Sequence, residues 1–284
     1  MDVTTVDSFR AARTRADLAL APGEVPIAGG TWLMSEPQPR TTGFVDLTTM
    51  GWPDLEVTGE GLRIGATCTI ATLVAWAEGR LTPRTAALPP VPEAWTAVAL
   101  APAAANALLA SFKIWNTATV GGNVCRSYAA AAMVSLAVAL DGVAEVWCPD
   151  GSERRVAVAD LVTGDATNAL ADGEILRAVV LPDVALRSRA VLRKVALAEL
   201  GRSGAVVTGR VDPDGTVVVA ITAATSTPTV LRYPSLPPEA RLRSDVEAAP
   251  GYYSDPLGPA DWRRAVSATL ATRVREDLIT GGTA

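Results

Sequence analysis

The spacing of apolar positions changes along this chain. In the first part they form short runs bounded by Gly and Pro: "VPIA" (25–28), "FVDL" (44–47) and "LRIGA" (62–66), each of strand length. The period then lengthens. In "TIATLVAWAEG" (69–79), Ile70, Leu73, Val74 and Ala77 share one helical face, Thr69 can cap the start and Gly79 can end it. A Pro-rich connection (81–94) leads to "AAANALLASFKI" (103–114), which reads as helical. "SYAAAAMVSLAVAL" (127–140) is apolar on every side and predicts a buried helix, closed by Asp141-Gly142. "VAEVWC" (143–148) and "RRVAV" (154–158) flank a Pro-Asp-Gly turn and predict a hairpin.

Later the texture shifts to successive strands: "EILRAVVLP" (174–182), "AVLRKVAL" (190–197), "GAVVTGRV" (204–211) and "TVVVAITAAT" (216–225). A "DPDG" turn joins the last two. After a Pro-rich patch (234–238), residues 259–278 predict a helix with Trp262, Val266, Leu270 and Val274 on one face. Strands followed by a helix suggest a small α+β domain from about residue 185.

Composition narrows the function. With 284 residues, 49% hydrophobic and 19% charged, the chain can bury a sizeable core. Its net charge of −5 argues against nucleic acid as a partner. The start lacks a signal pattern and the most apolar run (128–140) is too short to span a membrane, so a cytoplasmic location is expected. Cys68, Cys125 and Cys148 form no C-x-x-C pair, so no zinc or iron–sulfur site is expected on this chain. The sequence has no histidine. That removes the usual general base, the usual metal ligand and every Ser-His or Cys-His nucleophile. No catalytic side chain is expected, and any chemistry falls to a cofactor.

Two glycine pairs are candidates for holding one: "PIAGGTWL" (26–33) and "NTATVGGNV" (116–124). Glycine lets several backbone N–H groups approach a diphosphate and form a concave nest. Either pair alone could equally be an ordinary turn. Neither fits G-x-G-x-x-G or ends in G-K-[ST], so the dinucleotide fingerprint and the P-loop are both absent.

Taken in order, the motifs resemble the FAD-binding medium subunit of the molybdenum hydroxylases, the family of xanthine dehydrogenase and carbon monoxide dehydrogenase. The matching stretches are Ala28–Thr31 ("AGGT"), "FVDL", "LRIGA", "CTIATL", Ile114 through Asn123, Gly173 through Pro182, Arg193-Lys194 and "DWRR". The resemblance implies an α+β protein. A two-subdomain FAD-binding fold of the PCMH type (1–184) would precede a small C-terminal α+β domain with a three-stranded sheet (185–284).

It also implies site residues. Ile27, Ala28, Gly29, Gly30, Thr31, Trp32 and Leu33 would wrap the diphosphate. Thr119, Gly121, Gly122 and Asn123 would hold diphosphate and ribityl from the other side. Ala110, Ile114, Ala118 and Cys125 would line the pocket, Ile175 and Leu176 would pack near the adenine, and Lys194 would lie near the flavin ring. Two positions depart from the family pattern: Ala132 stands where it has Asp, and Trp115 where it has Arg. The implied cofactor is non-covalent FAD. Molybdopterin and 2Fe-2S clusters are expected only on partners, a molybdopterin-binding large subunit and an iron–sulfur subunit of one hetero-oligomer. Two other readings stay open, a self-contained FAD-dependent oxidase and a cofactor-free scaffold of the same fold.

Overall fold

The computed structural model describes residues 4–107, 112–198 and 201–281. Three parallel strands open the chain: β1 (Ser8–Ala11), β2 (Glu24–Ile27) and β3 (Gly43–Asp46), in the order β1-β3-β2. An edge position suits β2, because Pro26 has no N–H to give to a second neighbour. Arg10 reaches across the sheet to Glu24 at 2.8 Å and joins the two outer strands.

Next come β4 (Leu55–Val57), β5 (Gly61–Gly65), α1 (Ile70–Ala77), α2 (Leu100–Ala105), α3 (Phe112–Trp115), α4 (Val120–Arg126) and α5 (Ala132–Ala139). The hairpin β6 (Val143–Trp147) and β7 (Glu153–Ala157) leads to α6 (Val158–Leu161) and the short pair β8 (Val162–Gly164) and β9 (Thr167–Asn168). β10 (Ile175–Pro182) then returns to the centre of an antiparallel sheet of order β4-β5-β10-β6-β7. As its composition predicts, α5 is buried on every side. The helix is shorter than its apolar run, because Ser127 takes a left-handed conformation (φ 51°) and breaks the chain's path after α4.

After α7 (Asp183–Leu186), the strands β11 (Arg189–Ala196), β12 (Ser203–Val211), β13 (Val217–Thr222) and β14 (Thr229–Tyr233) pair antiparallel in sequence order. This sheet has four strands, not the expected three. The extra one, β14, lies beside β13 with Ile221 opposite Thr229 and Val217 opposite Tyr233. Five residues interrupted by Arg232 are too short and mixed to stand out as a strand in the sequence.

One face of the sheet contributes Leu192, Val206 and Ala220 to the core built around α5. The other face, with Val207, Val219 and Ile221, packs under α8 (Glu239–Glu247) and α9 (Ala260–Thr280). The face α9 buries runs through Arg263, Ser267, Leu270, Ala271, Val274 and Leu278, so Trp262 and Val266 lie at its edge. Small residues allow the close approach: the Val274 and Leu278 side chains occupy the space where a Cβ on Gly209 would sit. Arg263 is fully buried because its guanidinium donates to the Ala223 carbonyl at 2.7 Å and pairs with Asp255.

Candidate functional site

The chain leaves the carboxyl end of β2 directly into the first glycine pair, the end of a parallel sheet where α/β folds place ligands. Carbonyls of this loop turn inward: Gly30 O accepts from Met34 N at 2.8 Å, and Trp32 O accepts from Ser35 N at 2.9 Å and Glu36 N at 3.1 Å. The amides are left over. Among the described residues, the N–H groups of Ala28, Gly29, Gly30, Thr31, Trp32 and Leu33 donate to no protein acceptor. Gly30 holds φ 65°, the left-handed region glycine tolerates at little cost. A Cβ on Gly29 would overlap the Thr117 carbonyl and lie 3.1 Å from Ala118 Cα. The two glycine loops therefore touch backbone to backbone.

The second pair is built differently. Thr119 caps α4, and its Oγ1 accepts from Gly122 N at 3.0 Å. Val120 N donates to Cys68 O at 2.8 Å, Gly121 N to Ala66 O and Asn123 N to Thr119 O, both at 2.9 Å. Every N–H from 120 to 123 is thus committed inside the protein. Gly121 is buried, with Ala66 Cα 2.7 Å from where its Cβ would stand. Its lack of a side chain serves the packing of α4 on the end of β5.

Between the two loops lies a cleft of about 390 Å³. Ala28, Gly29, Gly30, Thr31, Trp32 and Leu33 form one wall. Ile114, Ala118, Thr119, Gly122, Asn123 and Cys125 form the other. Burial pushes the Cys125 thiol up to about 12, so it lines the cleft as an unreactive apolar group. Asn123 Oδ1 accepts from Met133 N at 2.8 Å and fixes α4 to α5. Pro26, Ile70, Arg126 and Tyr128 also line it, and among the described residues none of the lining is acidic. These four were not expected from the sequence. Arg126 and Tyr128 are brought in by the left-handed turn at Ser127, which no residue type there announces.

The Arg126 guanidinium carbon lies 3.9 Å from the Trp32 ring centroid and 4.3 Å from that of Tyr128. Arg126 Nη2 donates to Tyr128 Oη at 3.0 Å. Among the described residues, Arg126 Nε and Trp32 Nε1 are buried without a hydrogen-bond partner.

A family model, the FAD binding domain in molybdopterin dehydrogenase, matches residues 4–184. The chain belongs to this family. Membership makes it a flavoprotein component of an oxidoreductase and assigns FAD as its cofactor. Solved structures share the fold. Quinoline 2-oxidoreductase from Pseudomonas putida 86 matches with TM-score 0.74 at 20% identity, covering 98% of each chain. Reconstituted CO dehydrogenase from Oligotropha carboxidovorans matches with TM-score 0.77 at 22% identity, over 95% of this chain and 96% of that one. Carbon monoxide dehydrogenase from Hydrogenophaga pseudoflava matches with TM-score 0.77 at 17% identity, over 97% and 98%. No curated protein sequence matches the chain significantly.

The residues present suit the family's cofactor. Uncommitted amides, a glycine that permits close backbone approach and a lining without carboxylates all favour an anionic, diphosphate-bearing ligand. Other residues expected at the site stand elsewhere. Ile27 is buried, in contact range of where a Cβ on Gly30 would sit, and Gly121 faces Ala66. Leu176 is in the main core, while Ile175 lines a larger hollow of about 1160 Å³ that shares Pro26 with the lining of the cleft. Lys194, on β11, donates from Nζ to Asn106 O at 2.7 Å and does not line the cleft. Ala110 lies outside the described residues. Ala132 is buried in α5, and Trp115 borders a separate groove with Thr69, Thr72, Arg80 and Arg84. Among the described residues no group of His, Cys, Asp or Glu is placed to hold a metal, and no helix is long and apolar enough to cross a membrane.

Proposed function

We propose that this chain is the electron-transfer subunit of a multi-subunit molybdenum hydroxylase. Electrons arrive from an iron–sulfur subunit and leave to an external acceptor, while a molybdopterin-binding large subunit transforms the substrate. The observation that supports this best is the cleft itself: among the described residues it has amide donors, one cation and no carboxylate, in a chain with no histidine to serve as a base. Such a lining binds and orients but offers nothing to take a proton from a substrate. Bound non-covalent FAD supplies reversible electron uptake. On this reading, residues 28–33 hold the diphosphate from one side, and Thr119, Gly122 and Asn123 shape the other. Ile175 stands toward the adenine in the hollow beyond Pro26, and Lys194 lies toward the flavin ring. The FAD-binding part takes residues 1–184 and the C-terminal part 185–284. Trp115, half-buried beside exposed Ile114, is a contact for a partner subunit. The complex is cytoplasmic.

The purified chain is expected to be yellow and to release all its flavin on denaturation. It should co-purify with an iron–sulfur chain, and alone should oxidise no purine, pyridine or aldehyde with artificial acceptors. Turnover by the lone chain would replace this reading with the self-contained oxidase. A colourless chain that takes up no FAD would replace it with the scaffold.

A further inference from the structure

Among the described residues, the lining of the cleft contains one formal charge, Arg126, and no acidic side chain pairs with it. Most arginines that approach burial in this chain are paired: Arg210 with Asp141 and Asp212, Arg263 with Asp255, Arg63 with Glu56 and Glu145. Arg126 has rings on its faces instead, Trp32 at 3.9 Å and Tyr128 at 4.3 Å. Stacking occupies the faces of a guanidinium and leaves its edge, where the N–H groups point. One edge group, Nη2, is held by Tyr128 Oη, while Nε is buried with no acceptor among the described residues. A donor so placed is costly unless a ligand supplies the acceptor. Tyr128 also has the Arg202 guanidinium carbon 5.8 Å from its ring centroid, with Arg202 itself paired to Asp255 at 3.9 Å. Ser127 holds a left-handed conformation at φ 51°, a strain a non-glycine residue adopts only when its surroundings enforce it. Here it sets Arg126 and Tyr128, two residues apart, against each other.

We propose that Arg126, clamped between Trp32 and Tyr128, is a specificity-determining residue that binds the phosphoryl oxygens of the dinucleotide opposite the 28–33 amides. The inference rests on the placement of FAD in this cleft and adds the residue that makes binding depend on phosphate charge. A planar guanidinium held edge-on matches two phosphoryl oxygens, which a lysine would meet only as a point charge. The alternative role is a staple: the stack would hold two loops together and be indifferent to ligand charge.

The test uses the full chain freed of flavin, titrated calorimetrically with FAD, ADP, adenosine and riboflavin at low and high salt. In Arg126→Gln, FAD and ADP should each weaken by about 10- to 100-fold, with a shallower salt dependence, while adenosine and riboflavin keep wild-type affinity. Arg126→Lys, which keeps charge and stem, should lose about three- to tenfold for ADP and retain the salt dependence. Should the Gln variant not fold by circular dichroism, the Lys variant still decides, because wild-type ADP affinity in it overturns the bidentate contact. Wild-type affinity for FAD and ADP in Arg126→Gln overturns the proposal, as does an equal loss for all four ligands, which marks a staple. If the wild-type chain binds neither FAD nor ADP, the placement of FAD falls and the inference with it. If the wild type binds both and the Gln variant matches it, only the role of Arg126 falls.

Discussion

The two glycine pairs share a dipeptide and face the same cleft, yet their amides are used in opposite ways. Around Gly29-Gly30 the carbonyls are bonded within the loop and the N–H groups are left for a ligand. Around Gly121-Gly122 every N–H from 120 to 123 is bonded within the protein. The first pair is free to bind because its loop leaves an edge strand and bonds through its carbonyls, not its amides. The second is sewn to the end of β5 and the start of α1, with a Thr69–Thr119 bridge beside it. A glycine pair is therefore no guide to an anion site until the destination of its amides is known.

This contrast predicts which variants lose stability and which lose the cofactor. The largest effect belongs to Gly121→Val. Its side chain would push against Ala66 backbone, so overpacking of about 3 kcal/mol should lower Tm by roughly 6–12 °C. A thermal melt showing wild-type stability would contradict the tight packing of Gly121 on Ala66. Gly29→Val should cost stability as well, because its side chain would overlap the Thr117 backbone, and it should also cost the cofactor. Separating the loops at Thr117 should weaken FAD by roughly 100-fold or more, since several charge-assisted bonds are lost together, whereas folded Gly121→Val should keep more of its FAD affinity. Flavin titration beside the melt separates the two.

Thr119→Ala comes next. Removing the α4 cap should cost about 1 kcal/mol, or roughly 2–4 °C in Tm, with little change in FAD affinity. A loss of FAD larger than the loss of stability would show that Thr119 contacts the cofactor directly.

The smallest effect concerns acid. Hydrogen bonds from Arg10, and then from Ala21 N, hold the Glu24 carboxyl down to about 2, below its ordinary value near 4.5. The folded value is depressed, so this stabilisation is present above the ordinary value and is lost as pH falls from about 4.5 toward 2. β2, which carries the first loop, should loosen in that window before the backbone-bonded second loop does. Glu24→Gln should flatten the pH dependence of stability there, and an unchanged acid titration would count against the ion pair.

Much of this was legible in the sequence. Thr69 does cap α1, accepting from Thr72 N at 3.1 Å, and the runs at 25–28, 44–47 and 62–66 are strands to within a residue. Helix α8 was not, because Leu242 and Val246 alone mark its buried face among charged neighbours. At the cleft, the residues of the first loop were legible through the glycine pair and its position after a strand. Gly121 packs on Ala66 and does not line the cleft, a distinction hidden in the sequence because packing and approach to a phosphate demand the same residue type. Arg126 and Tyr128 were missed for a different reason: their meeting depends on a left-handed serine, and serine carries no signal for that conformation.

Amide hydrogen exchange tests the central claim most directly, on the full chain with and without saturating FAD. Amides 28–33 should exchange quickly without FAD and become protected with it, while amides 120–123 should be protected in both states. Fast exchange at 120–123 that slows only with FAD, or no change at 28–33, would contradict the division of roles between the two loops.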